Sequence, residues 1–225
     1  MRRAILFVLV LAPAMAFAQD HRWELTPTVG FRWGGTVLLE AETNVITTGL
    51  HRVDLANGGD FGLRLGFLMT KSLGLELMYS KEFTEFKDKQ GLFGEEPGST
   101  TPPGATGTLN TDVETWQLGL TWHLLQGKTR PYLVFAGGQT TIQSETPLPK
   151  ETAITFALGA GVKIEMSSTL GLLFELRYNR SDTDTDNTVV VEWEHIDCPE
   201  TCRYTYGYDD TFSQTSFAAG LIIAF

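Results

Sequence analysis

Cysteine is nearly absent from this 225-residue chain. Cys198 and Cys202 are the only two, so at most one intrachain disulfide is available. Long apolar runs are equally scarce. Past the first eighteen residues nothing approaches eighteen consecutive apolar positions, which excludes a membrane-spanning helix but not a membrane-spanning strand. Basic charge is in deficit, with 17 Lys and Arg against 27 Asp and Glu and a formal net charge of -10. Nucleic-acid phosphates need Lys and Arg, so no nucleic-acid partner is expected. Helical periodicity, internal repeats and interdomain linkers are also missing. The most linker-like stretch, Gly94 to Gly107 with Pro97, Pro102 and Pro103, falls between two strand-like segments.

The first residues read as an export signal. Arg2 and Arg3 give a positive start, Ala4 to Ala12 is apolar, and Ala16-Phe17-Ala18 is a small-x-small cleavage site. The apolar part is too short to span a bilayer. Cleavage after Ala18 is expected, giving a signal peptide over 1–18 and one domain over 19–225. Export in turn favours a Cys198–Cys202 disulfide.

What fills the rest is a period of two. Trp23, Leu25, Pro27, Val29, Phe31 and Trp33 alternate with polar or small residues, and so do Phe61 to Met69, Leu73 to Tyr79 and Trp116 to Leu124. Ile154 to Ile164, Leu170 to Tyr178 and Phe217 to Phe225 repeat the pattern. The stretch from Pro131-Tyr132 is apolar on both faces and its orientation is open. These eight segments mostly run nine to eleven residues or more, enough for a tilted strand to cross a bilayer. The face opposite the large apolar residues mixes glycines and small residues with Glu24, Arg32, Arg64, Glu76, Lys163, Glu165, Glu175 and Arg177. That is what a narrow barrel interior requires, namely short side chains and compensated ion pairs.

A soluble barrel with its apolar face inward would show the same alternation, so connection lengths decide. The breaks at 37–59, 71–72, 87–111, 125–130, 144–151, 167–169 and 181–211 alternate long and short, beginning and ending long. Transmembrane barrels sort their loops in this way, with short turns in the periplasm and long loops outside. The expected fold is all-β, a single eight-stranded antiparallel up-and-down transmembrane barrel in the cell outer membrane. Trp23, Trp33, Tyr79, Trp116, Trp122, Tyr178 and Phe225 lie where interfacial aromatic girdles belong.

From Trp23 to Phe225 the chain resembles the small outer-membrane β-barrel superfamily of the OmpA transmembrane domain and OmpX type. The ending, with Phe217, Leu221, Ile223 and a terminal Phe225, is similar to the signal that the barrel-assembly machinery reads in that class. The resemblance implies contact with outer-membrane lipid and lipopolysaccharide. It does not extend to the periplasmic peptidoglycan-binding domain of full OmpA, which is expected to be lacking, and it carries over no activity residue by residue.

The last long connection is the richest in chemistry. Between Ser181 and Thr211 it holds Asp182, Asp184, Asp186, Glu192, Glu194, Asp197, Glu200, Asp209 and Asp210 against one basic residue, Arg203. Val189, Val191 and Trp193 alternate on the way out, and Tyr204, Tyr206 and Tyr208 on the way back. The last two wall strands are therefore expected to continue past the membrane as a ribbon with a disulfide at its tip. Trp193, Tyr204, Tyr206 and Tyr208 are its recognition candidates, toward a surface protein or matrix partner.

Other chemistries fall short. His195 with Cys198 and Cys202 supplies only three metal ligands. Asp182, Asp184 and Asp186 open like a calcium loop, but Asn187 replaces its glycine and Trp193 its bidentate glutamate. Carboxylate density still allows loose divalent-ion binding near lipopolysaccharide. His21, His51, His123 and His195 show no pairing with a serine, so no catalytic set and no cofactor are expected. A surface-interaction or structural role leads. An OmpW-like channel for small hydrophobic molecules is the alternative, because Leu68, Met78, Leu173 and Ile222 interrupt the polar interior face. A lipid A-modifying enzyme comes third.

Overall fold

The computed structural model describes residues 23–43, 49–87, 108–144, 150–182, 188–193, 202–209 and 211–225. The proposed signal peptide and Cys198 lie outside them. Every regular element among the described residues is a strand: β1 (Trp23–Trp33), β2 (Thr36–Thr43), β3 (Gly49–Leu55), β4 (Gly58–Leu68), β5 (Leu73–Lys87), β6 (Thr108–His123), β7 (Thr129–Ser144), β8 (Glu151–Glu165), β9 (Leu170–Asp182), β10 (Thr188–Trp193), β11 (Cys202–Asp209) and β12 (Thr211–Ala224).

Eight of these close on themselves. Each of β1, β4, β5, β6, β7, β8, β9 and β12 pairs antiparallel with the next, and β12 returns to β1. The seam is finished at its end by Phe225, whose N–H donates to the Trp23 carbonyl at 3.0 Å, while Trp23 N–H donates back at 3.2 Å. Closure leaves no exposed edge around the wall, the condition for a sheet to sit in hydrocarbon.

The alternation of the sequence becomes an alternation of faces. Glu24, Thr26, Thr28 and Arg32 of β1 are buried in the lumen while Val29 and Phe31 point outward, exposed. Around the wall, Leu63, Leu77, Leu118, Phe135, Leu158, Leu176 and Phe217 also face outward and are exposed. A contiguous apolar band of this extent would be strongly unfavourable in water and is at home against lipid. The buried side is polar, the reverse of a soluble barrel. On β7, Tyr132 and Val134 take the lumen while Leu133 and Phe135 face out. This fixes the one strand whose sequence did not choose a face.

Aromatic pairs mark the margins of the band. Trp23 packs on Phe67 with ring centroids 4.7 Å apart at the end holding both termini, and Tyr79 packs on Trp116 at 4.7 Å toward the other. Strands β5 to β8 are 15 or 16 residues long, more than a crossing needs, so they stand beyond the band on the loop side.

The first long connection holds a hairpin that was not expected, and the last holds a two-stranded ribbon as expected. Gly34 and Gly35, at φ 79° and 125°, turn the chain after β1. The 37–59 connection then forms the β2–β3 hairpin, which the period-two reading misses because Val37-Leu38-Leu39 does not alternate. The late ribbon is β10 paired with β11. β11 in turn pairs with β2, from Tyr204↔Thr43 to Asp209↔Leu38, and β3 pairs with β5 at Asp54↔Lys87 and Leu55↔Phe86. The first and last long loops thus build one sheet that continues the wall outward.

Candidate functional site

Strand parity sends charged side chains inward at three heights, and the narrow lumen brings them together. Nearest the termini, Glu24 of β1 accepts from Lys163 of β8 and, at 3.2 Å, from Arg130 of β7. His123 of β6 is buried beside this group, with its ring 5.8 Å from that of Tyr132.

The middle tier is a closed quartet. Arg64 donates to Glu175 at 2.8 Å and lies 3.6 Å from Glu76, while Arg177 donates to Glu175 at 2.7 Å and to Glu76 at 3.1 Å. Two guanidinium groups meet two carboxylates, all buried, so the net charge is zero. Other lone pairs and donors are taken up locally, although Arg64 Nε is left buried without a partner. The Tyr132 hydroxyl donates to Glu175 at 2.7 Å, Arg177 donates to the Gln117 side-chain oxygen at 2.9 Å, and Gln117 donates to Asn179 at 3.0 Å. Buried ions are tolerated when opposite charges are matched and hydrogen-bonded in this way.

Toward the loops, Arg32 lies 3.6 Å from Asp60 and 3.9 Å from Glu82, and it donates to Ser80 and to Thr115. Gln214 donates to Glu82 at 3.0 Å. Hydroxyls fill the opposite wall, where Thr155 donates to Thr140 at 2.7 Å and meets Ser181 at 2.8 Å. Above them Leu55, Phe86, Val113, Ile142, Ala153 and Phe212 are buried, a mainly apolar layer at the loop end that also holds the buried Glu151 and Thr111.

Three of the four apolar interruptions are packed as well. Leu173 and Ile222 form a buried cluster with Tyr132 and Val134, and the Met78 sulfur accepts from Arg177 at 3.0 Å. A cavity of about 250 Å³ remains at the termini end, lined by Glu24, Arg130, Leu68, Ile164, Leu170 and Ile222. It is a recess in the mouth, below the middle tier.

Of the interior residues named from sequence, Glu24, Arg32, Arg64, Glu76, Lys163, Glu175 and Arg177 are in these tiers. Glu165 is not: it is exposed at the end of β8. Asp60, Glu82, Arg130, Tyr132 and Gln117 were not foreseen. Running the period of two past the apolar stretches, back from Phe61 to Asp60 and on from Tyr79 to Glu82, would have found the two acids. Phe217, Leu221 and Ile223 lie on the lipid-facing side of β12. Trp193 closes β10, and Tyr204, Tyr206 and Tyr208 lie on β11, whose first residue is Cys202, opposite Trp193. The disulfide itself falls outside the described residues.

The chain matches the outer membrane protein beta-barrel domain family over residues 4–225. No curated protein matches it. Among solved structures it is similar to the outer membrane protein OprG from Pseudomonas aeruginosa, at 13% identity and TM-score 0.56, covering 91% of this chain and 98% of that one. Neisserial surface protein A is similar at 12% identity and TM-score 0.49, covering 90% and 97%. The outer membrane protease OmpT from Escherichia coli is similar at 12% and 0.48, covering 92% and 98%. At these identities the likeness is one of fold.

Proposed function

The chain belongs to the outer membrane protein β-barrel domain family, and from that membership we propose that its barrel is a plugged anchor whose function lies on the loop-built sheet outside. It is an outer-membrane β-barrel protein. The observation that carries the finer reading is the middle tier. Arg64, Arg177, Glu76 and Glu175 reach from β4, β5 and β9 to meet in the lumen, and a conduit would have to separate ions that satisfy one another there. The OmpW-like reading has the recess at the termini end in its favour, but the quartet and the apolar layer stand between that recess and the loops.

The working surface in this reading is β10-β11-β2-β3, with Trp193, Tyr204, Tyr206 and Tyr208 supplying contact area and Cys198–Cys202 closing the tip. It binds a surface protein or matrix partner, not a diffusing solute. Lipopolysaccharide surrounds the wall, the barrel-assembly machinery reads Phe217 to Phe225, and the mature protein starts at Gln19.

The test joins two measurements. The purified protein is expected to be silent in planar bilayers. Cells displaying it are expected to lose adherence to host cells or matrix when 188–209 is replaced by a short glycine-serine turn, with heat-modifiable folding retained. Ligand-blocked conductance would transfer the assignment to transport. An altered lipid A mass profile on deletion would transfer it to catalysis.

A further inference from the structure

The tier nearest the loops does not balance. Among the described residues its one cation, Arg32, faces two carboxylates, Asp60 and Glu82, which are direct cross-strand partners on β4 and β5. Glu82 is fully buried and the Asp60 side chain is 8% exposed. Arg32 stands 3.6 Å and 3.9 Å from them, beyond hydrogen-bonding distance: its Nη groups donate to Ser80 and Thr115, and its Nε, the atom nearest Asp60, is itself buried without a hydrogen-bond partner. As a result Asp60 Oδ1 and Glu82 Oε1 are buried without a hydrogen-bond partner. The quartet below is neutral and has no positive charge to lend.

We propose that this tier is a binding site for a hard monovalent cation, sodium, held by Asp60 and Glu82. Burying an uncompensated carboxylate is costly, and one positive charge brings the tier to zero where a divalent ion would overshoot. The donors there are oxygens, the two carboxylates with the hydroxyls of Ser80 and Thr84 on the same face of β5, which suits hard ions and not soft ones. Glycines on the neighbouring strands make room for the two carboxylates themselves. A Cβ at Gly30 would come 2.2 Å from Asp60 Oδ1, and one at Gly58 would come 3.0 Å from Glu82 Oε1.

The experiment is thermal unfolding of the full chain in nonionic detergent, in sodium chloride and in choline chloride at equal ionic strength. The expected midpoint is higher in sodium by about 2–4 °C. Asp60→Asn and Glu82→Gln are each expected to erase that difference. In choline chloride Asp60→Asn is expected to unfold no earlier than the parent, because it removes the spare charge, an outcome that a purely structural aspartate would not give. Equal midpoints in the two salts, or a sodium effect that survives both variants, would overturn the site. So would a parent that gains from acid what it does not gain from sodium, since a proton would then be the neutralising ion.

Discussion

Arg177 on β9 donates to Glu76 on β5 at 3.1 Å, although the two strands stand on opposite sides of the eight-stranded wall. A contact of this reach ties the barrel across its diameter. Removing one partner leaves a buried charge unmatched, so Glu76→Gln is expected to destabilise the protein by about 3–5 kcal/mol. Glu76→Met combined with Arg177→Met takes away one ion of each sign and leaves Arg64 with Glu175. Urea unfolding in detergent micelles should therefore show the double variant losing less than Glu76→Gln alone. If the losses simply add, the quartet is not acting as a charge-matched unit.

Tyr132 lies flat over a glycine. A Cβ at Gly161 would come 2.6 Å from the Tyr132 hydroxyl oxygen and 2.6 Å from the Phe174 carbonyl. Gly161→Ala is thus expected to push the ring off Glu175 and cost about 1–3 kcal/mol through overpacking. Tyr132→Phe keeps the ring and loses only the hydrogen bond, about 1–3 kcal/mol at most where a charged acceptor is concerned. Near-ultraviolet circular dichroism separates them: Tyr132→Phe deletes the Tyr132 contribution outright, whereas Gly161→Ala keeps the chromophore and should alter its signal.

How much of this could be read in the sequence depended on whether local pattern carried it. Arg64 and Glu175 sit inside strict alternation, so their face was legible. Their pairing was not, since it depends on strands 111 residues apart being brought together by closure. Tyr132 was hidden by a strand apolar on both sides, one side facing lipid and the other Leu173 and Ile222. Asp60 and Glu82 were hidden because apolar periodicity ends at the membrane margin while the strands continue. β2 was hidden because it lies in an added sheet and not in the two-faced wall.

The outward band makes a depth prediction. Leu118 on β6 is lipid-facing in the middle of the apolar stretch, whereas Thr141 on β7 lies opposite Glu114, above Trp116. Leu118→Arg is expected to cost about 2–4 kcal/mol in lipid bilayers, and Thr141→Arg about 0–1 kcal/mol. Reversible unfolding from vesicles provides the comparison. Similar costs at the two sites would contradict the placement of the membrane margin between Leu118 and Thr141.

The seam between β1 and β12 contains a local weakness of known chemistry. Leu25 pairs with Ile223 and Thr28 with Gly220 in one register, yet the ladder lapses at Thr26 and Pro27 between them. On its other side Pro27 pairs normally with Leu63 of β4. Proline has no N–H to give, and a closed wall has no free edge on which to hide one. Because residue 27 points at lipid, an apolar β-branched replacement suits the outward face, and its new N–H is directed at β12. Pro27→Val is therefore expected to stabilise the barrel by about 0.5–1.5 kcal/mol, the net worth of one hydrogen bond, and to slow amide exchange around Leu221. A Pro27→Val protein that unfolds earlier than the parent would mean that the proline's restriction of the unfolded chain outweighs the missing bond.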